Sequence, residues 1–265
     1  MAELYGSDAF SPDEIAAKVE SIGVKKAGLS FIPMFALAVL AGGFIGLGAL
    51  YYLLIVSDPE ISFGIERLLG GLVFSLGLIL VIVAGAELFT GNNLMVMAWV
   101  SGKIPLTRLL RNFGIVYLGN AVGAIGLALL VYLSGHLDMN NSLIGRTADE
   151  IAAAKLAMPL PVAFFKGVLC NILVCLAVWL AMAGRSVTDK ILAVVFPISA
   201  FVAAGFEHCI ANLYFVPLGI FNGAKLSWSD FILDNLIPVT FGNLLGGAGM
   251  VGFVYWIIYR RNQNN

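Results

Sequence analysis

Charge is scarce in this 265-residue chain: only 12% of its residues are charged, whereas 60% are apolar. Soluble domains carry about 25% charged residues, so the composition excludes an ordinary soluble protein and favours one that folds in a lipid bilayer. The net charge is −1, and without a basic patch we expect no nucleic-acid partner. The chain has only three cysteines, all within apolar runs, which predicts neither a disulfide framework nor a zinc site.

Six nearly uncharged runs have the length of membrane crossings, since a spanning helix needs ~20 apolar residues. They occupy residues 31–56, 68–101, 112–134, 158–184, 191–222 and 235–259. The second and fifth runs are too long for one simple crossing, and glycine, glutamate and asparagine interrupt each near its middle. Irregular backbone at that depth is tolerated only where it is buried in protein or lines a cavity. We therefore expect an all-α membrane protein with six transmembrane helices, of which the second and fifth are broken.

The two interruptions repeat each other at a spacing of 120 residues: Gly85, Glu87 and Asn92 recur as Gly205, Glu207 and Asn212. The third and sixth runs also share the pattern Gly-Asn-x-x-Gly. This self-similarity predicts two halves, about 31–135 and 158–260. Because each half crosses the membrane three times, the second half must begin on the opposite side. The prediction is an inverted three-plus-three repeat.

Lysine and arginine are distributed unevenly between the two predicted sides of the membrane. Ten lie on the side that holds both termini and four on the other, so the positive-inside rule predicts cytoplasmic termini. Residues 1–30 precede the single transmembrane domain, 31–260, and Ser11-Pro12-Asp13-Glu14 is a good helix start. Apolar residues then share one face, which predicts a cytoplasmic amphipathic helix. It is either an interfacial anchor, which we favour, or a movable plug under the pore.

Each interruption starts a new half-helix, expected near Asn92 and near Asn212, whose N-terminus points back toward the middle of the membrane. A helix N-terminus carries roughly +0.5 charge and unpaired N–H donors. Two such ends that converge form an anion site without a metal. Broken helices at matching positions of two halves are typical of transporter binding sites, so the pattern predicts transport of a small anion.

Four ionisable side chains lie at membrane depth: Glu87, Lys166, Glu207 and His208. A charge there costs ~2.5–3.5 kcal/mol, so each must face a partner or a cavity. We expect the two glutamates to accept N–H groups freed by their own helix breaks rather than to contact an anion. Lys166 either pairs with a glutamate or attracts the anion.

His208 has no twin in the first half, where Leu88 takes the equivalent place, so helix breaking alone does not require it. Imidazole has an ordinary pKa of ~6.5, which suits it to give a proton to a weak-acid anion and to recover it. The alternative is a core histidine that is hydrogen-bonded to Asn171, Asn212 or Thr90. Thr90 supplies a hydroxyl on the first break.

Three segments resemble the signatures of the formate/nitrite transporter family. They are IVAGAELFTG at 82–91, GVLCNILVCLA at 167–177, and Gly-Phe-Glu-His with Ala-Asn at 205–212. The resemblance extends from about residue 15 to 260. It implies an aquaporin-like fold and a homopentamer with one pore per protomer. It also implies a location in the inner membrane of a bacterium or an archaeon.

The resemblance also implies roles for single residues. His208 becomes the central proton-exchanging group, Thr90 its hydrogen-bonding partner, and Asn171 part of the central chamber. Lys166 matches a lysine that is common in the family but neutral in some formate channels. Two apolar constrictions are implied, a cytoplasmic one at Leu88, Phe89 and Val174 and a periplasmic one at Phe74, Leu78 and Phe201.

Residues and resemblance together predict channel-like or proton-coupled transport of a small weak-acid anion. Formate is the first choice, and nitrite and hydrosulfide are alternatives. A neutral-solute pore of the water or glycerol type is the runner-up, although paired Asn-Pro-Ala turns are absent from the sequence and His208 would have no task. An enzyme that uses Glu207 and His208 is disfavoured, because no nucleophile–base pair, metal cluster or phosphate loop is present. We expect no catalytic residue, cofactor or metal.

Overall fold

The computed structural model describes residues 8–261, in which we number ten helices and find no strand. The first five are α1 Pro12–Ala27, α2 Phe31–Val56, α3 Phe63–Gly85, α4 (residues 89–100) and α5 Leu106–Leu133. The second five are α6 Met139–Leu156, α7 Leu160–Ala183, α8 Val187–Ala203, α9 Cys209–Asn222 and α10 Trp228–Tyr259. An all-α fold is therefore confirmed for the described residues.

Five of these helices, α2, α3, α5, α7 and α10, are long and apolar enough to cross a membrane. The remaining predicted crossing, residues 191–222, falls on α8 and α9, which have 17 and 14 residues. At 1.5 Å per residue they are about 26 and 21 Å long, and the hydrocarbon core is about 30 Å thick. Neither helix crosses alone, and the two together supply the length.

Both interruptions predicted from the sequence are short extended segments that begin at a glycine. Gly85 has φ of +82° and Gly205 has φ of +70°, a conformation in which a side chain is strained. The chain resumes as α4 at Phe89 and as α9 at Cys209. Each new helix thus begins three residues before the asparagine at which we expected it, because it starts directly after the extended segment.

The glycines of the shared Gly-Asn-x-x-Gly pattern lie where helix backbones touch. A side chain on Gly123 would overlap the Val39 carbonyl of α2, and one on Gly246 would overlap the Val168 carbonyl of α7. Small residues permit this close approach of membrane helices. As a result α5 and α10 hold the asparagines of the pattern, Asn120 and Asn243, beside the two breaks.

The N-terminal helix begins where the sequence predicts it. Ser11 caps α1 with a reciprocal hydrogen bond to Glu14, and Pro12 is the first helical residue. The buried side of α1, which includes Ile15 and Val19, packs on other helices of the chain.

A helix that we did not predict, α6, occupies the connection between the two halves. Both α1 and α6 therefore precede a membrane-spanning helix, α2 and α7 respectively.

Candidate functional site

Each helix break is held by an asparagine from the neighbouring long helix. Asn120 Nδ2 donates to the Glu87 carbonyl at 2.8 Å, and its Oδ1 accepts the first N–H of α4 at 2.9 Å. Asn243 makes the same pair of bonds at 3.0 Å each, to the Glu207 carbonyl and from the first N–H of α9. At each break, one carbonyl and the first N–H of the new helix are therefore satisfied by a side-chain amide.

The Glu87 carboxylate binds side chains rather than the backbone N–H groups that we expected. It accepts from Lys26 Nζ at 2.8 Å and from Asn92 Nδ2 at 2.7 Å, and Asn92 also donates to Asn112 Oδ1 at 2.9 Å. The expectation is wrong because the asparagine of α5 already takes the freed N–H group. The carboxylate is left to neutralise the lysine of α1.

Glu207 repeats this arrangement at the second break. Lys155 Nζ lies 2.9 and 3.0 Å from its two oxygens, and Asn212 Nδ2 donates to it at 2.7 Å while also donating to Asn235 Oδ1 at 2.7 Å. The Glu207 side chain is only 5% exposed, so the lysine compensates a charge that water hardly reaches. Because the lysine comes from α6, the two helices α1 and α6 have the same task.

His208 forms the N-cap of α9. Its Nδ1 accepts the Ala211 N–H at 3.1 Å, and its Nε2 lies 3.0 Å from Thr90 Oγ1 on α4. Because Nδ1 is an acceptor, the neutral ring carries its proton on Nε2 and donates it to the threonine hydroxyl. A second proton on Nδ1 would face the Ala211 N–H, so the imidazolium cannot keep the cap.

Asn171 connects the two breaks from α7. Its Nδ2 donates to the Asn243 carbonyl at 2.7 Å, to Asn93 Oδ1 at 3.1 Å and to the Thr90 carbonyl at 3.3 Å. Three acceptors around one atom fix the orientation of the amide. The opposite atom, Oδ1, is buried and accepts no hydrogen bond from residues 8–261.

Two separate cavities lie beside the two breaks. The α1-side cavity has a volume of about 460 Å³, and its lining includes Lys26, Glu87 and Leu88. The α6-side cavity has a volume of about 240 Å³, and its lining includes Lys155, Glu207 and His208. The imidazole therefore borders the α6-side cavity, whereas its counterpart Leu88 borders the other.

The apolar residues proposed as constrictions are all buried, but they do not divide as expected. Phe74 and Phe201 line the α6-side cavity with their rings edge to face, 5.7 Å between centroids, and Phe201 stacks on His208 at 6.0 Å. Leu78, expected beside these two, lines the α1-side cavity with Leu88. Leu78 lies one helical turn beyond Phe74 on α3, and its side chain therefore faces the α1-side cavity instead of the α6-side cavity.

Two further constriction candidates border neither cavity. The Phe89 ring packs on α5, with centroid distances of 5.6 Å to Phe113 and 4.9 Å to Tyr117. Val174 of α7 is 1% exposed and belongs to the same apolar core. Both residues are therefore packed against other side chains of the chain.

Comparisons with known proteins agree over nearly the whole chain. Residues 13–257 match the family model of the formate/nitrite transporters. The formate channel FocA of Escherichia coli K12 is 40% identical over 277 aligned positions, which cover 97% of each chain. A solved pentameric formate channel with formate bound gives a TM-score of 0.80 at 41% identity, and covers 85% of this chain and 96% of its own. An FNT family ion channel gives 0.84 at 32% identity, with 92% and 98% covered.

The chain belongs to the formate/nitrite transporter family. The resemblance inferred from the three motifs is thereby confirmed, and the chain is a multi-pass membrane transporter rather than an enzyme.

In this formate/nitrite transporter the lysines that bind the buried glutamates were missed from the sequence. Lys26 and Lys155 lie outside the six apolar runs, where a charged residue does not stand out. Their positions in the sequence could have identified them. Each lysine lies on the helix that comes directly before one of the two repeat halves, 31–135 and 158–260. Lys166 makes no ion pair within residues 8–261, and only its carbonyl contacts Glu207, accepting the N–H at 3.3 Å. Its pairing with a glutamate is therefore wrong, because Lys155 already fills that place.

Proposed function

We propose that this protein transports a small monovalent weak-acid anion, formate in the first place, across the inner membrane of its cell. It does so as a homopentamer with one pore per protomer and with both termini in the cytoplasm. The observation that carries the proposal is the contact of His208 with Thr90 between two separate cavities. Formate is favoured over nitrite and hydrosulfide because FocA and the solved pentameric relative are formate channels.

The helix ends at this contact favour an anion. Helix α9 begins directly after His208, and α4 begins one residue before Thr90. A helix N-terminus carries roughly half a positive charge. An anion that reaches Thr90 from either cavity therefore meets a favourable potential. The two buried glutamates do not repel it, because lysines neutralise their charges.

Protonation of the anion proceeds through the Thr90 hydroxyl. His208 Nε2–H donates to Thr90 Oγ1, which leaves the hydroxyl hydrogen for an anion oxygen. A proton taken up at Nδ1 from the α6-side cavity breaks the cap on Ala211. The Nε2 proton then moves to Oγ1 while the hydroxyl proton moves to the anion. One proton enters at Nδ1 and one leaves with the acid. To restore the cap, Nδ1 must release its proton to water in the α6-side cavity and Nε2 must take one up.

The neutral acid, rather than the anion, crosses the buried apolar residues that separate the cavities. Asn171 assists this choice, because its unpaired Oδ1 accepts the O–H of an acid and repels a carboxylate, which has no donor. Leu78 and Leu88 on the far side offer nothing to an ion. Each anion is therefore accompanied by a proton when the external side is acidic.

Transport by purified protein in liposomes tests the proposal. We expect formate uptake that is faster with an acidic exterior and is accompanied by proton uptake, and glycerol permeability that equals that of empty liposomes. Nitrite and hydrosulfide measured in parallel rank the substrates. Rapid glycerol flux without formate flux would refute the proposal and favour the neutral-solute pore.

A further inference from the structure

The two cavities lie beside the corresponding breaks of the two halves but differ in charge. The charged residues that line the α1-side cavity are Lys26 and Glu87, which cancel. The α6-side cavity has the corresponding pair, Lys155 and Glu207, and two cations in addition, Arg67 and Lys166. With a neutral imidazole the α6-side cavity therefore carries a net charge of +2, and the α1-side cavity carries none.

Lys166 marks a position at which the halves differ. The Glu207 N–H donates to the Lys166 carbonyl at 3.3 Å, and the Glu87 N–H donates to the Leu37 carbonyl at 3.2 Å. Lys166 and Leu37 are thus equivalent, and each lines the cavity beside its own break. Leucine at this position is sufficient for the structure of the break, so the fold does not require the ammonium group of Lys166.

Arg67 lies near the start of α3, beside the second break. Its Nη1 is 3.8 Å from where a Cβ on Gly205 would be, and its Nε is buried without an acceptor in the described part of the chain. The guanidinium carbon lies 5.2 Å from the centre of the Phe63 ring, and no carboxylate within residues 8–261 forms an ion pair with it. A buried N–H without an acceptor is costly unless a ligand supplies one.

We propose that Arg67 and Lys166 form an anion-collecting site in the α6-side cavity, and that small monovalent anions therefore reach the pore faster from this side than from the α1 side. The proposal deepens the proposed function and rests on it for the identity of the anion. Cations that line a narrow cleft raise the local anion concentration and the association rate by about 10–10³-fold. Salt screens this attraction over about 8 Å at physiological ionic strength.

Removal of the two charges tests the site. The variants are Arg67→Gln, Lys166→Leu, which copies the equivalent Leu37, and their combination. Lys225→Gln is the matched control, because Lys225 is exposed and lines neither cavity. Retention of thermal stability and of the elution volume of the wild-type protein shows that each variant is folded.

Formate uptake into liposomes of known protein orientation gives the first readout. For access from the α6 side, we expect the double variant to raise KM roughly tenfold, to keep the maximal rate and to lose most of the salt dependence. Access from the α1 side and the Lys225→Gln control should match the wild type. An unchanged KM, or an equal rise from both sides, would overturn the inference.

Chloride binding to the purified protein gives a readout that does not depend on formate transport. Line broadening in chlorine NMR measures exchange of chloride at the protein. We expect the broadening at low salt to fall severalfold in the double variant and to persist in Lys225→Gln. Equal broadening in all three proteins overturns the site, whereas absence of formate flux in the wild type overturns only the proposed substrate.

Discussion

Replacement of His208 by Asn separates the two contacts of the imidazole. Asparagine is among the best N-cap residues, and its Oδ1 takes the position of Nδ1 and accepts the Ala211 N–H. Its side chain is too short to replace Nε2, which lies 3.0 Å from Thr90 Oγ1. His208→Asn should therefore keep the cap and lose only the bond to Thr90, about 0.5–1.5 kcal/mol. His208→Ala should be less stable than His208→Asn by about 0.5–2 kcal/mol, the usual contribution of a cap.

The two variants should nevertheless fail alike in proton-coupled transport. General acid–base groups typically contribute about 10²–10⁴ to a rate, and Nε2–H is the proton donor that faces the Thr90 hydroxyl. We expect the stimulation of formate uptake by an acidic exterior to fall by a factor in this range. Slow, pH-independent leakage of the anion should remain, because the helix ends and the cavities are unchanged.

The assay measures formate and proton uptake together in liposomes, with and without a pH gradient, beside thermal unfolding in detergent. Thr90→Val, which removes the hydroxyl, should reproduce the transport defect of His208→Asn. The conservative Thr90→Ser should keep transport close to that of the wild type. A His208→Asn protein that retains the pH dependence of the wild type would refute a role of the imidazole in protonation.

Two further predictions concern the lysine–glutamate pair of the first break and the attachment of α1. Lys26→Met leaves the Glu87 side chain, which is 6% exposed, without its cation, and should lower the free energy of unfolding by about 3–5 kcal/mol. Addition of Glu87→Gln should restore most of this loss, and a double variant as unstable as the single one would contradict the pairing. On α1, the Glu20 carboxylate accepts hydrogen bonds from Lys103 at 2.5 Å and from Arg260 at 3.0 Å. Burial raises the pKa of this carboxyl, but the hydrogen bonds to the two cations outweigh burial and hold the pKa below its ordinary value. The bonds are thus complete above the ordinary glutamate pKa of about 4.3 and weaken only as the pH falls through the lower folded value. Trypsin should therefore cleave α1 equally slowly at pH 7 and pH 6 and faster in Glu20→Gln, and rapid cleavage of the wild type at pH 6 would contradict this attachment.

The positions of the breaks could be predicted because glycine, glutamate and asparagine stand out inside a long apolar run. The lysines that neutralise the glutamates could not be predicted in the same way. Lys26 is 61 residues away from Glu87, and Lys155 is 52 residues away from Glu207. No periodicity links residues at such separations, and the pairs form only because α1 and α6 fold back against the breaks.

The sequence also did not predict which cavity each apolar side chain faces. Leu78 was grouped with Phe74 although the two line different cavities. The packing of the Phe89 ring on α5 was not predicted either. Hydropathy identifies the buried face of a helix only when another face is polar. A membrane helix is apolar on every side, so its pattern does not show which residues border open space.

Comparison of the two halves separates residues that hold the structure from residues that act on the substrate. The shared residues, such as Glu87 and Glu207, spend their hydrogen bonds on the chain itself and offer nothing to an anion. Donors that remain available occur where the halves differ: Leu88 is replaced by His208, and Leu37 by Lys166. Two identical halves would give two equivalent cavities and no preferred site of protonation. A repeat therefore supplies two stable breaks, and the chemistry of transport must arise from the positions at which one half departs from the other.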